Sequence, residues 1–160
     1  MARFPGSGFH RAGMARRDFI GKAAFGAVAI TVMPAVGFAK PDDVISEIKK
    51  IYGDKAPAAG KIKLDLPTIA ENGLVVPLGF EVESPMTETD YVKAVHFFAD
   101  GNPNPQLASF YFTPMSPKAA AQIRIRLAQT QNIVAVAEMS DGKLYTARKE
   151  VKVTIGGCGG

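Results

Sequence analysis

A single cysteine, Cys158, is the third residue from the end of the sequence, with two glycines on either side. A thiol in such a place is able to form a disulfide or to hold another sulfur group as a covalent adduct. Glycine lacks a Cβ, so the tail has little intrinsic reason to pack on its own domain. An extended backbone from Ile155 to Cys158 spans roughly 10 Å. The pattern predicts a flexible, slender arm at residues 156–160, formed by Gly156, Gly157, Cys158, Gly159 and Gly160.

Two other uses of this cysteine follow from its chemistry. An odd cysteine in an exported protein often pairs between chains, so an intermolecular disulfide is one alternative. Prenylation is excluded, because the modified cysteine must be fourth from the end and Cys158 is third. Without a helix terminus or a neighbouring cation, the thiol is only about 3% ionised at pH 7. We therefore expect any protein that uses Cys158 to activate it on docking.

The start of the chain indicates export. Arg16 and Arg17 form a twin-arginine pair, and the apolar Phe19 follows within the same motif. A stretch rich in alanine, glycine and valine comes next, and it is shorter than the roughly 20 apolar residues that a bilayer requires. The segment predicts a twin-arginine (Tat) signal peptide at residues 1–39, a periplasmic location and no stable membrane anchor.

Charge is distributed unequally between the predicted signal peptide and the rest of the chain. Small residues at Gly37 and Ala39 predict cleavage before Lys40. The leader has five basic residues and one acidic residue, whereas the chain from Lys40 onward has fourteen of each. The basic character of the whole sequence therefore belongs to the leader. We expect the remaining domain not to bind nucleic acid.

The remaining 120 or so residues have the size of one domain, and their patterns predict mostly strands. Asp42 or Asp43 is a candidate cap for one short helix that ends at Gly53. After it, apolar residues recur at every second position, and Ser140-Asp141-Gly142 predicts a hairpin turn. The seven candidate strands cover residues 61–66, 76–82, 91–99, 107–112, 121–130, 132–139 and 143–155.

Short strands, frequent turns and a single helix favour an all-β sandwich of immunoglobulin-like type. The predicted organisation is a signal peptide at 1–39, a sandwich domain at 40–155 and the arm at 156–160. The order of the strands in the two sheets does not follow from the sequence.

The body of the domain offers little further chemistry. His96 lies in an apolar strand and is interpreted as a structural histidine. Glu81 and Glu83 share one strand face, with Glu88 and Asp90 in the next turn, and a solvated surface explains them. One histidine and one cysteine after cleavage exclude a usual four-ligand Cys/His zinc site within the chain. We expect no catalytic residue, no metal and no cofactor.

Several segments resemble the SoxY family, the sulfur-carrier subunits of the periplasmic thiosulfate-oxidising (Sox) system. They are the twin-arginine leader, LDLPTIAENGLVVPLGFEVESPM, VHFFADGNPNPQLASFYFTP, IRIRLAQTQNIVAVAEMSDGKLY and the terminal VKVTIGGCGG. The resemblance covers nearly the whole chain. It implies that the tail cysteine, here Cys158, carries sulfur intermediates of thiosulfate oxidation, first as an S-thiosulfonate and then as a persulfide.

The resemblance also implies partners. A c-type cytochrome complex would couple thiosulfate to the thiol, and a manganese-dependent hydrolase would release sulfate. A sulfane dehydrogenase, where present, would oxidise the remaining sulfur. An immunoglobulin-like SoxZ subunit would form a heterodimer with this chain, which would then act as a carrier and not as an enzyme. The alternative is an exported structural or binding sandwich whose tail cysteine crosslinks subunits.

Overall fold

The computed structural model of the protein describes Gly37 and residues 39–157. These residues form one helix and nine strands. Their bounds are α1 (Pro41–Tyr52), β1 (Ala58–Ala59), β2 (Ile62–Asp65), β3 (Ile69–Asn72), β4 (Val76–Val82), β5 (Val92–Ala99), β6 (Gln106–Tyr111), β7 (Ala119–Ile125), β8 (Gln131–Met139) and β9 (Leu144–Ile155).

The strands form two sheets that pack face to face. The larger sheet has six strands in the order β1-β9-β8-β5-β6, with β3 also paired to β9. The smaller sheet has the order β2-β4-β7. Strands β1 and β3 run parallel to β9, and all other pairs are antiparallel. The predicted all-β, immunoglobulin-like sandwich is confirmed.

The hairpin predicted at residues 140–142 joins β8 to β9. Met139 N–H donates to the Lys143 carbonyl at 2.9 Å, and Gly142 N–H donates to the Met139 carbonyl at 3.0 Å. Gly142 has a φ of 79°, which a side chain with a Cβ rarely adopts. This turn sets the register of the longest strand pair, from Gln131 opposite Val151 to Glu138 opposite Leu144.

The predicted strand at 121–130 is wrong at its C-terminal end. Strand β7 stops at Ile125. The next residues form a loop, because the Asn102 side chain takes the Arg126 carbonyl and the Ala128 N–H that would otherwise extend a ladder. Six predicted strands match β2, β4, β5, β6, β8 and β9 to within one or two residues. The short parallel strands β1 and β3 were not predicted.

The core between the sheets is built from aliphatic and aromatic side chains that alternate along the strands. Phe80 of the smaller sheet lies against Phe97 and Phe110 of the larger sheet, with ring centroids 4.9 Å apart in both pairs. Phe97 and Leu78 are fully buried. Aromatic pairs in tilted or edge geometry add stabilisation beyond their buried area. This cluster therefore holds the two sheets together.

Helix α1 covers the outer face of the larger sheet. Val44 packs against Phe98 of β5 and Val136 of β8. The helix begins at Pro41, one residue before Asp42 and two before Asp43, because Pro41 suits the first helical position and the Asp43 carboxylate accepts the Lys40 N–H at 2.7 Å. Because the helix covers one face of β5 and the core between the sheets covers the other, the alternation of that strand is lost in its second half. Within the described residues, no helix is long and apolar enough to cross a membrane.

Tyr52, at the end of α1, provides a test of this packing. Its hydroxyl is buried and has no hydrogen-bond partner among the described residues. Burial, followed by the negative charge of Glu138, raises the pKa of this hydroxyl. An unsatisfied buried polar group costs roughly 1–3 kcal/mol. We expect Tyr52→Phe to raise the free energy of unfolding by about 1 kcal/mol in urea denaturation, since it removes that uncompensated cost.

The matched control is Tyr111→Phe, because Tyr111 is 76% exposed. Its hydroxyl is already hydrated, so the free energy of unfolding should stay the same. If Tyr52→Phe lowered stability instead, the hydroxyl would have a polar partner in solution.

Candidate functional site at the base of the C-terminal arm

The predicted attachment residue, Cys158, lies outside the described residues, as do Gly159 and Gly160. The predicted export residues, Arg16, Arg17 and Phe19, also lie outside them. Their roles stay predictions. The structure does describe Gly156 and Gly157, which directly precede the cysteine. We therefore built the candidate site from the arm base, defined here as Ile155, Gly156 and Gly157.

Strand β9 carries the arm base and is the most extensively paired strand of the described chain. Its first half pairs with β1, its length pairs with β8, and its last residues pair with β3. The β3 register places Asn72 opposite Ile155. A turn at residues 72–75, named here the Gly73 turn, then leads to β4 in the other sheet. Its bend is held by Leu74 N–H, which donates to the Asn72 side-chain oxygen at 2.9 Å.

Three backbone hydrogen bonds close a ring around the arm base. Gly73 N–H donates to the Ile155 carbonyl at 2.8 Å. The Gly73 carbonyl accepts the Leu127 N–H at 2.8 Å. The Leu127 carbonyl in turn accepts the Gly157 N–H at 2.9 Å. Three segments far apart in sequence therefore meet at one point, directly before Cys158.

The absence of side chains at these glycines permits the close approach. A Cβ on Gly73 would overlap the Leu127 carbonyl oxygen, and a Cβ on Gly156 would overlap the Ala128 carbonyl oxygen. A Cβ on Gly157 would lie 2.8 Å from the carbonyl carbon and oxygen of Gly73. Gly157 is itself buried. Close packing is thus a role for Gly156 and Gly157 that the sequence did not suggest, and their contribution to the flexibility of the arm stays a prediction.

A buried pair of amide side chains holds the loop that carries Leu127. This loop, residues 126–130, is named here the Leu127 loop. The Asn102 amide nitrogen donates to the Arg126 carbonyl at 2.8 Å, and its oxygen accepts the Ala128 N–H at 2.9 Å. That oxygen also accepts a 2.8 Å hydrogen bond from the Gln131 amide. Both amide side chains are only 3% exposed.

Gln131 completes the network. Its side-chain oxygen accepts the Gly101 N–H at 2.8 Å, and its nitrogen also donates to the Gln129 carbonyl at 3.1 Å. Because buried polar groups are costly unless they are paired, a fully bonded network such as this one fixes a single loop conformation.

Sequence reasoning missed Asn102, Gln131 and Gly73. The segment Gly101 to Pro105 lies between two predicted strands and its glycine and prolines indicate only a loop, while Asn72-Gly73 has the composition of an ordinary turn. A usable signal was the polar Gln131 at the start of an otherwise apolar strand, since buried amides usually bond to backbone.

The histidine considered in the sequence is buried and hydrogen-bonded. His96 lies beneath α1 and is 5% exposed. Its Nδ1 is 2.7 Å from the Ser109 hydroxyl, and the Tyr52 and Tyr111 rings contact it edge-on. Burial lowers the pKa of His96, while the charge of Glu138 acts in the opposite direction. Burial thus favours the neutral imidazole in the packed face, which agrees with the interpretation of His96 as a structural residue.

The carboxylates considered in the sequence lie on the surface. Glu81, Glu83, Glu88 and Asp90 are all exposed, and Glu81 forms an ion pair with Lys118 at 3.4 Å. Exposed pairs of this kind contribute little to stability. Among the described residues, no group of three or more histidine, cysteine or acidic side chains could hold a metal ion. The described part of the domain thus positions the arm base and offers no cluster suited to metal chemistry.

Comparison with known proteins identifies the family of the chain. The family model described as "Sulfur oxidation protein SoxY" matches residues 48–158, a range that ends on Cys158. A solved structure of the sulfur carrier protein SoxY from Chlorobium limicola f thiosulfatophilum is 33% identical in sequence. That match covers 71% of this chain and 98% of the other, with a TM-score of 0.61.

A superoxide reductase (neelaredoxin) from Ignicoccus hospitalis is a more distant match. It is 20% identical, with 72% of this chain and 94% of that chain covered and a TM-score of 0.53. At this identity the likeness concerns the fold alone. A search of the curated proteins found no match. The family match over more than half of the chain, together with the 33% identical structure, shows that this chain belongs to the SoxY family.

Proposed function

We propose that this protein carries sulfur intermediates of thiosulfate oxidation as covalent adducts of Cys158. The observation that carries the proposal is the family match that extends through Cys158, joined to an arm base fixed at the end of β9. Membership of the family supports a role in sulfur oxidation, and the similar structure from Chlorobium is described as a sulfur carrier. The chemistry of the adducts is our proposal.

In the first step, the Cys158 thiolate and the outer sulfur of thiosulfate form a disulfide-type bond. Two electrons leave the pair of sulfurs and pass to a c-type cytochrome complex. The product is cysteine S-thiosulfonate. In the second step, water attacks the terminal sulfonate, sulfate and two protons depart, and the electron pair of the broken S–S bond stays on the persulfide.

In the third step, a sulfane dehydrogenase oxidises the outer persulfide sulfur to a sulfonate, with oxygen from water and electrons passed to an acceptor. A second hydrolysis releases this sulfonate as sulfate and restores the thiolate. The hydrolase in both hydrolytic steps is manganese-dependent. The carrier itself supplies only the thiol, because a cysteine without an activating neighbour is mostly protonated at neutral pH.

The remaining partners and the location follow from the same proposal. The twin-arginine pair Arg16-Arg17 and the leader up to Ala39 support export to the periplasm by the Tat route. We further propose a SoxZ-like immunoglobulin-like subunit as a heterodimeric partner, exported together with the folded chain. The Tat route suits this arrangement, because the sandwich core would form before export.

The proposal predicts the mass of the native protein. After isolation from cells grown on thiosulfate, without reductant, the chain should carry adducts on Cys158 with the mass of one sulfur atom or of one thiosulfate group. Intact-mass spectrometry with fragmentation of the C-terminal peptide measures this. The adducts should disappear after mild reductant, because each is held by an S–S bond.

The competing function is a structural sandwich whose Cys158 crosslinks two chains. It predicts a full intermolecular disulfide with twice the chain mass and no sulfur adducts before reduction. Cells grown without reduced sulfur compounds are the control, since the chain from them should have a free or simply oxidised thiol. Adduct-free protein under both growth conditions would contradict the carrier function.

A further inference from the structure

We propose that the Leu127 loop is an anchor that fixes Gly157, so that Cys158 is presented from this point and not from the end of β9. In this arrangement Asn102 and Gly73 are positioning residues for the arm. The inference rests on the proposed carrier function for its biological meaning. The anchor itself consists only of described residues.

The first part of the argument is the direction of the hydrogen bonds. The Leu127 peptide groups both face the ring, because its N–H donates to Gly73 and its carbonyl accepts from Gly157. On either side of it, the Arg126 carbonyl and the Ala128 N–H bond to the Asn102 side chain. The Asn102 side chain thus bonds the peptide groups on either side of Leu127, while the Leu127 groups themselves bond the backbone of Gly73 and Gly157. The contacts to Asn102 thus hold the loop in the orientation in which both Leu127 peptide groups face the arm base.

The second part is burial. The Leu127 side chain is fully buried in the core, and Asn102 and Gln131 are nearly so. Rotating the Leu127 peptide away from Gly157 would leave buried groups unpaired, which is costly. The loop is thus fixed by the core on one side and by the amide pair on the other. Its carbonyl offers Gly157 a rigid acceptor.

The third part is the reach of the thiol. From Gly157, one residue of about 3.6 Å leads to Cys158, whereas from Ile155 three residues span roughly 10 Å. An anchored Gly157 therefore confines the thiol to a much smaller volume. Re-ordering each freed backbone residue when the arm docks in an enzyme cleft weakens binding by a factor of about ten. The anchor thus lowers the conformational-entropy cost of docking the arm in an enzyme cleft.

The first experiment measures amide hydrogen exchange in the chain from Lys40 to Gly160, with nuclear magnetic resonance as the readout for each residue. We expect the Gly157 and Leu127 amides to exchange slowly in the parent protein. In Asn102→Ala and Gly73→Ala both should exchange at least about tenfold faster, since each variant removes a support of the ring. The Val136 amide, in the centre of β8, should remain protected in all folded variants.

The matched control is Asn132→Ala. This residue also uses a side-chain amide hydrogen bond, to Asp100 at 2.9 Å, and within the described residues its side chain forms no hydrogen bond to Leu127 or the arm base. Its loss should leave Gly157 exchange unchanged. If Asn102→Ala fails to fold, Gly73→Ala still tests the proposal. It disrupts the backbone hydrogen bonds of the ring and leaves the Asn102–Gln131 pair intact. Unprotected exchange of Gly157 in the parent protein would overturn the anchor.

The second experiment measures position without any sulfur chemistry. Cys158 is the only cysteine, so Asp141→Cys adds one exposed partner at the far end of β9. With nitroxide labels on Cys158 and on the introduced cysteine, pulsed electron paramagnetic resonance gives the distribution of distances between the two labels. We expect Gly73→Ala and Asn102→Ala to widen it by roughly 1.5- to 2-fold, because the reach of a free chain grows with the square root of its length. Equal widths in all variants would overturn the positioning role.

The third experiment joins the anchor to the proposed function. In a reconstituted thiosulfate-oxidising system, the variants should raise KM for the carrier at least about tenfold with kcat retained, while small thiol reagents react with Cys158 at an unchanged rate. An unchanged KM would overturn the role of the anchor in presentation. If the parent protein itself is not processed, the proposed function fails, and the exchange and distance measurements still decide the anchor.

Discussion

Cys158→Ser is expected to abolish thiosulfate-dependent turnover completely while leaving the fold and the partner subunit unaffected. The chain has no other cysteine, so no second thiol replaces the lost one. A serine hydroxyl does not form the S–S bond on which every proposed intermediate depends, and it is a far weaker nucleophile near neutral pH. The measurement is reduction of cytochrome c and release of sulfate in a system reconstituted from purified components.

Two controls show whether a loss of turnover in Cys158→Ser is due to the missing thiol of the arm. Circular dichroism and the melting temperature of Cys158→Ser should match those of the parent protein. A second variant, Met115→Cys in the Cys158→Ser background, places a thiol on a residue that is 93% exposed but distant in sequence from the arm. It should not restore turnover, because an accessible thiol without the arm is not delivered to a cleft. Turnover in either variant would contradict the carrier role of Cys158.

The sandwich was predictable because its strands alternate clearly. Val76, Leu78, Phe80 and Val82 face the core, while the residues between them face largely outward, and this pattern gave β4 its observed bounds. The hairpin at residues 140–142 followed from local turn chemistry. Such features depend on neighbours within a few residues, which a single sequence displays directly.

The arrangement of the strands was not predictable by the same means. Asn72-Gly73 has the composition of a hairpin turn, yet it joins β3 of one sheet to β4 of the other. Strand β3 pairs in parallel with β9, some 80 residues further along the chain. Pairings of this kind depend on long-range contacts and not on local preference. They were therefore absent from the prediction.

The candidate site divides in the same way. The thiol and its flanking glycines were evident from the sequence. The arm base was not, because Gly73, Leu127 and Gly157 meet only in the folded chain. A glycine that is required for close approach cannot be distinguished by sequence from a glycine that provides freedom. Asn102 likewise resembles any asparagine of a proline-rich loop until its buried partners are known.

These observations connect the fold to the presentation of the thiol. Strand β9 is held by three other strands, and its end is tied to two loops. The arm therefore leaves the most constrained strand of the described structure. A carrier that must be recognised by several enzymes benefits from a fixed origin, because each enzyme then meets the same surface around the thiol.

The second large effect is expected for Phe97→Ala, which should lower the free energy of unfolding by about 3–5 kcal/mol. Phe97 is fully buried and lies against Phe80 across the two sheets, with Phe110 beside it. Its removal leaves a cavity that the rigid strands cannot fill by moving together. Since domains of this size are usually stable by only about 5–15 kcal/mol, the variant should be close to unfolding.

Thermal unfolding of the chain from Lys40 to Gly160 should show a melting temperature lower by about 10–20 °C for Phe97→Ala. Met115→Ala is the control, because Met115 is 93% exposed and its truncation should change stability by no more than about 0.5 kcal/mol. Below the transition, the reaction of Cys158 with a small thiol reagent should be the same in both variants, since neither touches the arm base. A loss below about 1 kcal/mol for Phe97→Ala would mean that the two sheets are not held together by this aromatic cluster.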